Sequence, residues 1–111
     1  MITGAHIILY SQNAEADRAF FRDVLNFKNI DAGQGWLIFA LPPSEAAFHP
    51  AEDNRHELYL MTDDLADAMT RLRGHGVACT EVQEARWGSI TSFVLPGGGT
   101  LNLYQPKHPR P

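Results

Sequence analysis

At 111 residues, with 44% hydrophobic and 20% charged side chains, the chain has room for one domain with a modest core and is too balanced in composition for disorder. Its formal net charge of -4, from 9 basic against 13 acidic side chains, excludes the concentrated positive face that a phosphate backbone requires. No apolar run, whether Ile7 to Tyr10 or Trp36 to Leu41, comes near the ~20 residues that span a bilayer, nothing reads as a signal segment, and the single Cys79 has no disulfide partner; a cytoplasmic chain without nucleic-acid or membrane partners is expected.

Residues Ile2 to Tyr10 are apolar and rich in β-branched side chains, which predicts a strand, and Ser11-Gln12-Asn13 supplies capping groups for a following helix. That helix is expected from Ala14 to Leu25, because the pairs Phe20/Val24 and Phe21/Leu25 stack on one face while Glu15 and Asp17 sit in the first turn, where the helix dipole favours acids. Asn26 ends it. Short strands are then expected around Lys28 to Ala32, Trp36 to Leu41 and Glu45 to His49, punctuated by Gly33-Gln34-Gly35 and Pro42-Pro43-Ser44. The same order returns with a strand from His56 to Thr62, caps at Asp63 and Asp64, and a helix from Leu65 to about Arg73 whose Leu65, Met69 and Leu72 share a face. Gly74 and Gly76 terminate it, and strands around Val77 to Glu84, Ser89 to Leu95 and Thr100 to Gln105 complete the chain. Cys79, flanked by apolar residues, reads as an inert thiol.

One shift of register superimposes His6 on His56, Tyr10 on Leu60, Ala16 on Ala66 and Asp17 on Asp67; a second superimposes Phe39-Ala40-Leu41-Pro42 on Phe93-Val94-Leu95-Pro96. Duplication of one β-α-β-β-β unit explains this economically, with modules over about 1–53 and 54–106 and a tail at 107–111, all in one domain over 1–111. The repeat puts a histidine at the same place on the first strand of each unit, and neutral imidazole is a common metal ligand. His75, between two glycines, and His108, in the Pro-rich tail, read as surface groups. Gly97-Gly98-Gly99 precedes a strand rather than a helix and lacks the lysine of a phosphate-binding loop, so it is a turn. A zinc-ribbon cysteine pair and a Gly-x-Ser-x-Gly elbow are both missing.

The repeat, the two matched histidines and the stretch Pro96-Gly97-Gly98-Gly99-Thr100-Leu101-Asn102-Leu103-Tyr104-Gln105-Pro106 resemble the vicinal-oxygen-chelate superfamily of glyoxalases, extradiol dioxygenases and bleomycin-resistance proteins. The resemblance covers nearly the whole chain. It implies an α+β, glyoxalase-like fold in which two tandem βαβββ modules form an open eight-stranded cup. It also implies metal ligands at His6 and His56, with an acid from the last strand of each module. Asn102 stands where the second acid would be, and its neutral carbonyl is a weaker ligand for a transition metal. In the first module, matching His49-Pro50 to Gln105-Pro106 would put Ala46 at the ligand position. Strand alternation instead buries Ala46 and Phe48 and turns Glu45, Ala47 and His49 to the cup, and since a one-residue slip reverses every face, burial favours Glu45.

His6, Glu45 and His56 therefore form the candidate metal set, suited to Fe, Mn, Ni or Zn, and Tyr10, His49, Arg86, Trp87, Asn102 and Tyr104 are the candidate substrate-binding residues. The catalytic residues are left unassigned. The resemblance supports two main readings: a metal-dependent lyase or dioxygenase acting on a small molecule with vicinal oxygens, or a metal-free small-molecule binding protein. A regulatory or interaction domain using the same cup is a third. It also implies a homodimer in which the cup is completed within one chain or across the interface.

Overall fold

The structure, a computed structural model, describes residues 6–45, 47 and 49–109. The first helix, α1 (Ala14–Asp23), starts where Asn13 accepts a hydrogen bond from the Ala16 amide at 3.1 Å, and Asn26 leaves it with φ 58. A hairpin of β1 (Asn29–Asp31) and β2 (Leu37–Phe39) follows; its Gly33-Gln34-Gly35 turn takes positive φ throughout and is tied down by the Asp31 carboxylate. The second half contains β3 (Tyr59–Met61), α2 (Leu65–Gly74), β4 (Gln83–Glu84), β5 (Gly88–Val94) and β6 (Thr100–Pro106). These strands form a four-stranded sheet in the order β3-β6-β5-β4, with β3 parallel to β6 and the other pairs antiparallel. Asp64 caps α2 through the Asp67 amide at 3.0 Å, and Gly76 closes it with φ 79, the left-handed conformation glycine adopts without a Cβ clash. This second half has the expected β-α-β-β-β order, and the whole is an α+β fold.

Both helices serve one core. Phe20 and Phe21 of α1 and Leu65, Met69 and Leu72 of α2 pack on the sheet face formed by Phe93, Leu95, Leu101 and Leu103, and all nine are buried. Phe20 meets Phe93 with ring centroids 5.9 Å apart, and Phe21 holds the hairpin through Phe39 at 5.5 Å. At about 1.5–3 kcal/mol for each large apolar side chain buried, these contacts are the main stabilisation. A hydrogen bond from the Gly97 amide to Asp17 Oδ1, at 2.8 Å, fastens α1 to the β5–β6 turn. Glycine at 97 lets the two approach this closely, because a Cβ would displace the Ser11 hydroxyl and the Asp17 carboxylate.

Three expected strands differ from the structure. Residues 6–10 are in no ladder, and Ile2 to Ala5 lie outside the described residues. Residues 45, 47 and 49 are likewise outside any ladder, and Ala46 and Phe48 are not among the described residues. The strand expected from Val77 to Glu84 shrinks to a bridge at Cys79 and to β4. The reason is common to the first two: a segment becomes a strand only when a neighbour receives its backbone groups, and α1, which follows the first of them, packs on the four-stranded sheet of the second half.

Candidate functional site

Alternation along β6 builds the site. Leu101 and Leu103 turn to the helices, so Asn102 and Tyr104 take the opposite face; pairing brings Tyr59 beside Asn102, Met61 and Ile90 beside Tyr104, and Ser92 beside Asn102. This helix-free face carries an aromatic cluster. Tyr59, Trp87 and Tyr104 meet edge to face, with centroid separations of 5.7 Å for Tyr59–Trp87, 5.8 Å for Tyr59–Tyr104 and 5.1 Å for Trp87–Tyr104. Tyr59 and Trp87 stay half-buried while Tyr104 lies beneath them. Gly88 is what lets Tyr104 lie so low, since a Cβ there would stand 2.8 Å from Tyr104 Cδ2 and 2.8 Å from the Gln105 carbonyl oxygen.

The polar end of the cluster is formed by Glu45 and His108. Tyr104 Oη donates to Glu45 Oε1 at 3.4 Å and lies 3.3 Å from His108 Nε2, while Nε2 is 3.6 Å from Glu45 Oε1. His108 is held in place by its neighbour: Lys107 bonds Glu84 at 2.6 Å through Nζ and the Trp87 carbonyl at 2.9 Å through its amide. Bonding to Lys107, and then to Ser89, holds the Glu84 carboxyl below its usual range. Burial, reinforced by hydrogen bonding to Glu57, pushes the Tyr59 phenol up, so it stays a neutral hydroxyl. Burial also pushes the Cys79 thiol up, which keeps it an unreactive thiol.

Of the candidate residues, Glu45, Trp87 and Tyr104 come together, and half-buried Asn102 adjoins them on the same face. Tyr10, His49 and Arg86 are exposed, and among the described residues none makes a hydrogen bond or ring contact with the cluster. His6 and His56 are exposed as well, each ahead of any ladder. The residues in step with His56 on the following strand, Leu58 and Leu60, pack on the core, so alternation gives the open face to Tyr59 and Met61 instead. Among the described residues no three His, Cys, Asp or Glu side chains stand together as a metal site. His6, Glu45 and His56 are therefore not brought to one ion within one chain. The reading of His108 as a surface group is corrected by its contacts to Tyr104 and Glu45. Tyr59 and His108 are the site residues the sequence reading missed; the alternation of Leu58 and Leu60 was the signal for Tyr59.

No protein-family model and no curated protein sequence matches the chain significantly. Solved structures do. TnmS3, an antibiotic binding protein from Streptomyces sp. CB03234, is 24% identical, with 96% of this chain and 100% of that one covered at a TM-score of 0.66. A lactoylglutathione lyase from Agrobacterium tumefaciens is 17% identical, covering 93% and 92% at a TM-score of 0.66. A glyoxalase/bleomycin resistance protein from the same Streptomyces strain is 21% identical, covering 83% and 90% at 0.53. The chain thus has the glyoxalase/bleomycin-resistance fold, in agreement with the resemblance drawn from its sequence. No helix among the described residues is long and apolar enough to cross a membrane.

Proposed function

We propose that this chain of glyoxalase-like fold is a small-molecule binding protein that holds an aromatic or apolar ligand on the helix-free face of its four-stranded sheet. The observation that carries this is the cluster of Tyr59, Trp87 and Tyr104, half-open to solvent at two rings and closed at one end by Glu45 and His108. Large rigid rings bind planar molecules at low entropic cost, and a few polar groups at one end fix orientation. The likeness to TnmS3, an antibiotic binding protein, supports the same reading. One free thiol, Cys79, fits a reducing compartment, and we place the protein in the cytoplasm.

The rival reading is a metal-dependent lyase or dioxygenase, supported by the matched His6 and His56 and by the likeness to a lactoylglutathione lyase. Among the described residues no three potential ligands stand together in one chain, so on this reading we place the ligands across two copies. A second copy is part of our proposal in either case. The extended run Ile7 to Tyr10 leaves Ile8 64% and Tyr10 93% exposed, and Trp36 on the hairpin is 65% exposed, surfaces that soluble monomers rarely leave uncovered. Light scattering should give a dimer mass for the native chain and a monomer mass for Ile8→Asp; a native monomer removes the second copy.

The functional test is Trp87 fluorescence in a Trp36→Phe background, titrated with planar aromatic compounds with and without a chelator, beside metal analysis of His6→Ala and His56→Ala. Quenching that is indifferent to the chelator and lost in Tyr104→Ala supports binding. Near-stoichiometric metal that disappears in both histidine variants would instead install the enzyme.

A further inference from the structure

The ligand-binding reading leaves open which molecules the cluster selects, and its charge answers that. Glu45 meets the cluster at the Tyr104 hydroxyl, and its carboxylate is mostly buried, with 21% of the side chain exposed. Its partners are loose: the Tyr104 hydroxyl is 3.4 Å away and His108 Nε2 3.6 Å, against about 2.5–2.9 Å for a good charge-assisted bond. His108 is a charge partner only when protonated. Among the described residues no Lys or Arg forms an ion pair with Glu45; Arg22 pairs with Asp23, Arg55 with Asp53 and Glu57, Arg71 with Asp67 and Lys107 with Glu84, while Arg18 lies over the Trp36 ring. None of them neutralises Glu45.

The rings add to this field. Each aromatic face carries the negative lobe of a quadrupole, so half-buried Tyr59 and Trp87 beside a carboxylate make a locally negative, apolar surface. At the far side of Tyr59 stands a second carboxylate, Glu57, whose Arg55 partner is 3.8 Å away. The position in front of Glu45 already takes a ring nitrogen, that of His108, which marks it as reachable by a nitrogen donor. An anionic ligand would meet repulsion from both sides, and a neutral one would leave Glu45 desolvated without a counter-charge.

We propose that Glu45, backed by Tyr104 and His108, is a cation seat, so that the site takes an aromatic molecule carrying a protonated or quaternary amine, its ring against Tyr59 and Trp87 and its nitrogen at the carboxylate. This rests on the ligand-binding reading. Isothermal titration calorimetry of the full chain with 2-naphthylmethylammonium, 2-naphthylmethanol and 2-naphthoate isolates the charge at nearly constant shape. The ammonium should bind about tenfold or more tighter than the alcohol, with the carboxylate weakest. In Glu45→Gln, which keeps side-chain size and the Tyr104 contact, the gap should close to about threefold or less, with thermal stability checked in parallel. Equal binding of ammonium and alcohol, with both lost in Trp87→Ala, overturns the cation seat and leaves the aromatic site standing. A gap that survives intact in Glu45→Gln also overturns it. Failure of all three probes to bind overturns this inference and the binding reading together.

Discussion

Replacing Gly88 by alanine tests the geometry on which the site depends. Gly88 is buried at the start of β5, and its φ lies outside the left-handed region, so the backbone itself accepts alanine. In open space the change would stabilise by about 0.4–1 kcal/mol, because alanine restricts the unfolded chain. The new Cβ, however, would stand 2.8 Å from the Gln105 carbonyl oxygen and 2.8 Å from Tyr104 Cδ2. The first of these is backbone inside the β5–β6 ladder and cannot swing away, so overpacking of about 1–3 kcal/mol applies. With backbone on one side of the clash the steric cost wins, leaving a net loss of up to about 2.6 kcal/mol and about 1.3 kcal/mol at the middle of the range, or about 5–10 °C in Tm. Tyr104 must also tilt, which separates it from Trp87 and Tyr59 and should reduce the near-ultraviolet circular dichroism of the cluster. Gly74→Ala is the control: nothing lies within 4 Å of its Cβ, so at the end of α2 it should stabilise by a few tenths to about 1 kcal/mol. A Gly88→Ala protein with unchanged or raised Tm and an intact aromatic spectrum would refute the placement of Tyr104.

Asp64→Ala removes the α2 cap at the Asp67 amide and should lower stability by about 1 kcal/mol in urea titration with no change in m; an unchanged midpoint would show the cap to be dispensable. Glu84 is held low by Lys107 and Ser89, so the tie between β4 and the tail is present above the ordinary glutamate range and is lost as pH falls through the lowered value. In a ¹³C titration the Glu84 carboxyl should titrate lower in the native chain than in Lys107→Ala; identical curves would break the link. If the second copy supplies a wall opposite the aromatic face, Ile8→Asp should weaken ligand binding as well as the dimer, by linkage; unchanged affinity in a proven monomer would place the whole site within one chain.

The parts of the fold legible in the sequence are those decided within a few residues. Asn13 and Asp64 cap the two helices as read, Asn26 and Gly76 leave them with positive φ, and Gly33-Gln34-Gly35 makes the hairpin turn. Each is a local choice, a side-chain acceptor beside a bare amide or a backbone angle few residues accept. The strands expected at 2–10 and 45–49 depended instead on distant partners. Alternation shows that a segment could pair, but it does not say which neighbour is present, and α1 docks through Phe20 on Phe93 and through Asp17 on Gly97, on the other half's sheet.

The site divides along the same line. Trp87 and Tyr104, singled out from the sequence as candidate ligand-facing groups, meet on one sheet face, and the alternation of Leu101 and Leu103 explains why Tyr104 turns away from the helices. Glu45 was reached by the argument that a slip of register exposes the wrong face, and it does lie at Tyr104. The repeat drew attention to His56, although Leu58 and Leu60 lie in step with it and point to the core; the open face belonged to Tyr59 all along. His108 was hidden by its setting, since a tail rich in proline and charge reads as solvated. Lys107 changes that by bonding Glu84 and the Trp87 carbonyl, which delivers the next imidazole to Glu45. A charged tail residue thus serves as an anchor, and the acid that the metal pattern would claim stands instead among aromatic rings, where an organic cation is the better-matched partner.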